Sequence, residues 1–141
     1  SLDSTTLRTV GESALGINVS AQWNSDFDNP SNKRFVTEYI KKYSRMPTYY
    51  ASQGYDTALA IGAALRQVKG DLSNTEAFRT AMLRADFQAT RGAFKFGPNQ
   101  HPVQDWYAMT VEKDASGQLA IVTKKKILSD HGDAFAKDCK L

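Results

Sequence analysis

The hydrophobic pattern of this chain changes its period near residue 90, and this change limits the folds open to it. Between residues 30 and 85, apolar residues recur three and four positions apart, as they do on the buried face of a helix. Between residues 93 and 127, apolar and polar residues alternate, as in strands with one buried face. Since a short alternating segment at 17–21 precedes the helical region, the order predicts an α/β protein with largely parallel sheets flanked by helices and a C-terminal hairpin.

Capping residues predict where the first two helices begin. Asp3 or Ser4 can cap a helix over 5–15, and Gly16 can end it. Asn29 followed by Pro30 is the strongest start signal in the chain, because a proline at the first helical position gives up no needed N–H. The expected buried face of this second helix consists of Phe35, Val36, Tyr39, Ile40 and Tyr43.

Two more helices are expected before the strands. The first covers 50–68, and its inward face would consist of Tyr55, Leu59, Gly62 and Leu65. The second begins after Ser73 or Asn74 and would point Phe78, Ala81, Met82 and Ala85 inward.

Strands are predicted at 93–96, 105–113 and 119–127, with a turn at 114–117 joining the last two into a hairpin. The lysine run at 124–126 continues the alternating pattern of the last strand. We interpret it as a solvated edge that resists pairing with another sheet.

Composition restricts the possible partners. The chain has 141 residues, and its formal charge of +3 comes from 18 basic and 15 acidic side chains. This balance does not indicate a nucleic-acid surface. No apolar run of about 18 residues suggests a membrane span, and the first residues lack the pattern of a secretory signal, so any targeting segment is expected on a precursor.

No catalytic constellation, cofactor motif or metal site is predicted. His131 lies beside Asp130 and Asp133, but no nucleophile is marked there, and His101 belongs to a turn signature. Asp56 is expected to be a helix-surface or capping group. The scattered glycines form no nucleotide-binding loop, and the sequence therefore predicts no enzyme.

Five spaced segments resemble the type I periplasmic solute-binding proteins, in particular those of branched-chain amino acid and aromatic acid ABC transporters. The segments are NPSNKRFV at 29–36, RMP at 45–47, YASQGYDTA at 50–58, RGAFKF at 91–96 and NQHPVQDWY at 99–107. The ending from Asp130 to Leu141 also fits, so the resemblance covers essentially the whole chain, as the C-terminal portion of such a protein.

The resemblance implies two α/β lobes that are joined by three crossings of the chain and close on a ligand between them. Residues 1–23 would end the second lobe before a crossing. Residues 24–104 would form the C-terminal part of the first lobe, and residues 105–141 would return to the second as hairpin and tail. Neither lobe would be complete, so an N-terminal portion of the same protein, or a swapped copy, is an expected partner.

The resemblance also supplies candidate ligand contacts. Tyr50 falls where the family places an aromatic wall of the pocket, and the adjacent Tyr49 is a second candidate contact, although an aromatic at a helix start beside Tyr49 could equally be a core residue. Leu2 and Asp3 match a loop that faces the cleft. Trp23, Gln104 and Asp105 lie near crossings and are hinge candidates, and Trp23 is also counted among the ligand-binding candidates.

The implied function is that of an extracytoplasmic solute-binding component of an ABC importer, located in the periplasm and delivering an amino acid or aromatic carboxylate to a membrane permease. The alternative is a ligand-sensing ectodomain or an effector lobe of a receptor or regulator with the same fold. The sequence leaves open which ligand is bound, the oligomeric state, and whether the single Cys139 pairs with a cysteine outside these residues.

Overall fold

The computed structural model of the protein describes residues 2–139. The elements in chain order are α1 (Ser4–Val10), β1 (Asn18–Ala21), α2 (Pro30–Tyr43), α3 (Tyr49–Gln67), α4 (Thr75–Leu83), β2 (Phe94–Phe96), β3 (Pro102–Lys113) and β4 (Leu119–His131). Short 3₁₀ turns follow α1 at Gly11–Ala14 and follow β4 at Ala136–Asp138. None of the helices in the described range has the length and hydropathy of a membrane-spanning segment.

Helix boundaries follow the predicted caps closely. Asn29 Oδ1 accepts the N–H of Asn32 at 2.8 Å, and Pro30 is the first residue of α2. The side chain of Asn74 caps α4 as predicted, and Thr48, which was not predicted as a cap, caps α3. The first helix is shorter than predicted because the backbone of Gly11 turns to φ 64° and ends it four residues before Ala14 completes the 3₁₀ turn.

The prediction of largely parallel sheets is not confirmed, since every strand pair within residues 2–139 is antiparallel. β1, β2 and β4 all pair with β3, and the four strands form one sheet rather than parts of two. The reason is the length of β3, whose 12 residues accept β2 at one end and β1 at the other along the same edge. The α/β class and the C-terminal hairpin are as predicted.

The lysine run lies on β4, which pairs only with β3 among the described strands. All three lysines are exposed. This arrangement agrees with the interpretation of the run as a charged strand edge.

The predicted helix faces are only partly buried. On α2, Phe35 is buried, but Ile40 and Tyr43 are 40% and 49% exposed because no described element covers the last turns of the helix. On α3, the buried face is rotated toward small and polar residues, namely Ser52, Asp56, Ala60, Ala63 and Ala64, and the predicted Tyr55 and Leu59 are half-buried. On α4, Ala81 is buried as predicted.

Candidate ligand groove

A concave surface is present among the described residues. We call it the groove: it has a volume of about 1190 Å³ and lies between α1, β1, the segment before α3 and the β3–β4 hairpin. Leu2, Asp3, Trp23, Tyr49 and Tyr50 all line it. The structure therefore brings the five candidate ligand-binding residues to one place, although they are spread over 49 positions of the sequence.

Tyr49 and Tyr50 open helix α3, and they differ in how they are held. The hydroxyl of Tyr49 accepts a hydrogen bond from Nε2 of Gln22, and its ring is half-buried. The two rings meet edge to face with centroids 5.5 Å apart. Tyr50 is 64% exposed, so Tyr49 supports the wall and Tyr50 presents a ring to the groove. The alternative of a core residue at position 50 does not fit this exposure.

Asp3 is occupied by the start of α1. Its Oδ1 accepts the N–H of Thr5 at 2.8 Å, the N–H of Thr6 at 2.9 Å and the hydroxyl of Thr6 at 3.1 Å. Partial burial opposes ionisation, but these hydrogen bonds outweigh it and lower the pKa of the carboxyl. Asp3 is thus an ionised N-cap, and the same bonds satisfy the first N–H groups of the helix.

Trp23 is a buried anchor at the edge of the groove. It is 5% exposed, and its Nε1 donates to Oδ1 of Asn32 at 2.7 Å. Nδ2 of Asn32 in turn donates to the carbonyls of Ser25 and Phe27, both at 3.1 Å. This network fixes the loop that joins β1 to α2, so Trp23 has a structural role.

Trp106 is a groove residue that sequence reasoning missed as a candidate contact. It lies on β3, is half-buried and lines the same surface as the two tyrosines. The alternating pattern of β3 was visible in the sequence. Which of its two faces points into a cavity depends on the pairing of β3 with β1, which periodicity does not reveal.

The expectation that Asp56 is a helix-surface or capping group is wrong, because it lies buried in the interior of α3. It is 3% exposed, and it accepts the N–H of Thr90 at 2.7 Å and Nε of Arg91 at 3.0 Å. Nη1 of Arg91 donates to Oε1 of Gln104 at 2.9 Å. We call Asp56, Arg91 and Gln104 the buried relay, because they connect α3 to the first residues of β3.

A second polar cluster lies directly after the buried relay on β3. Asp105 pairs with Nζ of Lys126 and accepts the N–H of Asp130 at 3.0 Å. Hydrogen bonding to Lys126 lowers the pKa of Asp105. Burial raises the pKa of the neighbouring Tyr107, whose ring packs on Phe27 at 4.6 Å between centroids. The two hinge candidates on β3 therefore contact different elements. Gln104 is linked to α3 through Arg91, and Asp105 bonds to β4.

Other titratable candidates lie apart from the groove. His101 Nδ1 is 4.0 Å from Asp133 Oδ2 at the surface, and Cys139 is exposed. Within residues 2–139, no three His, Cys, Asp or Glu side chains come together as a metal site requires.

The chain matches a known family along most of its length. The family described as "Periplasmic binding protein" matches residues 1–118. No curated protein sequence gives a significant match to the chain.

Solved structures show the same likeness. A solute-binding protein of an ABC transporter from R. palustris, in complex with benzoate, has 28% identity and a TM-score of 0.85, over 99% of this chain and 37% of that chain. An ABC transporter substrate-binding protein from Sphaerobacter thermophilus has 27% identity and a TM-score of 0.84, over 91% and 35%. A solute-binding protein from Rhodopseudomonas palustris BisB5, in complex with 3,4-dihydroxybenzoic acid, has 26% identity and a TM-score of 0.77, over 94% and 36%. The chain thus spans little more than a third of the length of these proteins.

Proposed function

Because the chain belongs to the periplasmic binding protein family, we propose that it forms part of the solute-binding component of an ABC importer and that its groove supplies one wall of the ligand site. The observation that carries the proposal is the clustering of Trp23, Tyr49, Tyr50 and Trp106 around one concave surface. Largely apolar, aromatic linings with a few polar groups are typical of small-molecule sites.

The proposed ligand is an amino acid or an aromatic carboxylate, held between two lobes. The bound benzoate and 3,4-dihydroxybenzoic acid of the two R. palustris proteins support the aromatic class. Since those proteins are far longer than this chain, further parts of the pocket in both lobes would come from residues outside these 141. Closure of the lobes on the ligand and docking of the closed form on a membrane permease complete the proposed cycle in the periplasm.

The proposed lobe boundaries remain at residues 23/24 and 104/105. Support for the 104/105 boundary comes from the pairing along one edge of β3: the β2 ladder ends at Gln104, and the β1 ladder begins at Tyr107. Residues 105 and 106 lie between the two ladders, and the β3–β4 register shifts beside them. Such irregularities bend a strand locally, which suits a crossing between lobes.

Transport of this kind requires selective binding and a change of shape rather than bond making. The solved proteins that resemble the chain are solute-binding proteins and not enzymes. The arrangement of the groove agrees with such a role, because several aromatic side chains line one cavity and the carboxylates of Asp3 and Glu12 are bonded to neighbouring groups.

A thermal-shift experiment on the full-length protein tests this proposal. A ligand that binds only the folded state raises the melting temperature by mass action. We expect benzoate, a hydroxylated benzoate or L-leucine to raise it in a concentration-dependent manner. If none of these compounds changes the melting temperature or gives heat in calorimetry, the proposal of a small aromatic or amino acid ligand is wrong.

A further inference from the structure

The charged side chains that line the groove differ in whether they have a hydrogen-bond or ion-pair partner. Four of them are present in the lining: Asp3, Arg8, Glu12 and Asp114. Asp3 caps α1, and Glu12 Oε1 lies 3.1 Å from Nζ of Lys113. Asp114 Oδ1 accepts three bonds from the hairpin turn, from the N–H and hydroxyl of Ser116 and from the N–H of Gln118. Arg8 is exposed, and its side chain makes no hydrogen bond or ion pair with residues 2–139.

Arg8 lines the same groove as Tyr49, Tyr50 and Trp106. It lies on the same face of α1 as Ser4, one helical turn later, and a turn advances the helix by about 5.4 Å. Ser4 Oγ donates to the carbonyl of Pro47 at 3.3 Å, and Pro47 is two residues before Tyr49. Helical side chains generally lean toward the N-terminus of their helix, which for Arg8 is the side of Ser4.

From these observations we infer that Arg8 binds the carboxylate of the ligand and that the groove prefers an aromatic carboxylate without an ammonium group over an amino acid. This inference rests on the proposed function and names the ligand class for the same groove. The groove offers a guanidinium that lacks an acceptor and four aromatic side chains. An ammonium group would need a carboxylate, and those of the groove already have donors.

The physical basis is the shape and charge of the guanidinium. Its planar array of N–H donors matches the two oxygens of a carboxylate, and such charge-assisted pairs are stronger than neutral hydrogen bonds. Lysine would retain the charge but not the paired geometry. Closure of the two lobes on the ligand would remove water from around Arg8 and strengthen the pair further.

The test is isothermal calorimetry on the full-length protein with benzoate, benzamide and L-leucine. Benzamide has the shape of benzoate without its charge. We expect the wild-type protein to bind benzoate at least about tenfold more tightly than benzamide or L-leucine, as for loss of one charge-assisted pair. Arg8→Gln should weaken benzoate binding about 10- to 100-fold and abolish the preference over benzamide. Arg8→Lys should retain an intermediate affinity.

Arg79→Gln is the matched control, because Arg79 is an exposed arginine on helix α4 that does not line the groove. It should leave benzoate binding unchanged. Unaltered benzoate affinity in Arg8→Gln, combined with weaker binding in Tyr50→Ala, would overturn the role of Arg8 and leave the groove as the ligand site. Tighter binding of L-leucine than of benzoate would overturn the ligand class. Absence of binding by all three compounds would overturn the proposed function, and this inference with it.

Discussion

Nε of Arg91 lies 3.0 Å from Oδ2 of Asp56, and the two side chains are only 9% and 4% exposed. The pair joins the second turn of α3 to the segment between α4 and β2. Because Gln104 and Thr90 satisfy further polar atoms of the pair, both charges are buried without an orphaned group. Such a network stabilises only when it is complete.

Removing one partner of this pair should therefore destabilise the protein strongly. We expect Arg91→Met to lower the free energy of unfolding by about 3–5 kcal/mol, because the carboxylate of Asp56 remains buried without its cation. The double variant Asp56→Leu/Arg91→Met should lose less than the single variant. Urea denaturation of the full-length protein measures both. Lys33→Met breaks an exposed ion pair with Asp28 and serves as the control that should change little. Equal effects of Arg91→Met and Lys33→Met would contradict this role.

Tyr50→Ala should affect binding far more than stability. The side chain lines the groove and is 64% exposed, so its removal leaves little buried surface unfilled. We expect ligand affinity to fall by about 1–3 kcal/mol, as for the loss of an aromatic anchor. Tyr43→Ala removes a similarly exposed ring, 49% accessible on α2, outside the groove. Calorimetry on both variants should show weaker binding for the first alone, and unchanged affinity in Tyr50→Ala would exclude it from the site.

Lowering the pH into the acid range should reduce the contribution of the Asp105–Lys126 ion pair to the free energy of unfolding. Hydrogen bonding to Lys126 holds the folded-state pKa of this carboxyl below its ordinary value of 3.8. The ionised form therefore stabilises the fold above pH 3.8, and the stabilisation is lost as the pH falls from there through the lower folded-state value. Both Asp105→Asn and Lys126→Met should flatten this part of the curve of unfolding free energy against pH. Acid profiles identical to that of the wild type would show that the pair does not contribute.

The isolated 141-residue chain should associate rather than remain a compact monomer. Several large apolar side chains stay uncovered among the described residues: Leu15, Leu72 and Phe135 are 50%, 55% and 74% exposed. β1 also pairs on one edge only within that range. Such surfaces favour partner binding or exchange of elements between copies. Light scattering measures the outcome, and a monodisperse monomer with cooperative unfolding would mean that these residues form a self-sufficient domain.

Local signals predicted the secondary elements well. Asn29 with Pro30, the α3 start near Tyr50 and the hairpin turn at 114–117 all depend on residues close in sequence, whose hydrogen bonds form within one turn. The β3–β4 hairpin followed from alternation alone. The start of β3 was placed three residues late, because Pro102 and its neighbours join the strand through pairing with β2.

What sequence could not provide were the contacts between distant residues. Asp56 looked like a surface group because its partners, Thr90 and Arg91, follow more than thirty positions later. Trp106 was missed because its orientation depends on the register with β1. The groove candidates came from a family resemblance, and the structure adds that their side chains share one cavity.

The way β3 carries two ladders on one edge has a mechanical consequence. β3 and β4 form a two-stranded ribbon that runs past both ladders, and its register shifts cluster between Gln104 and Met109. Sliding one strand of such a ribbon along the other would break every hydrogen bond of the pair, whereas flexing it across its face leaves them intact. Any relative movement of the two ends of this ribbon should thus be a bending motion with its hinge at residues 104–109. Aromatic rings near this hinge would be displaced least, and the helix ends farthest from it would be displaced most.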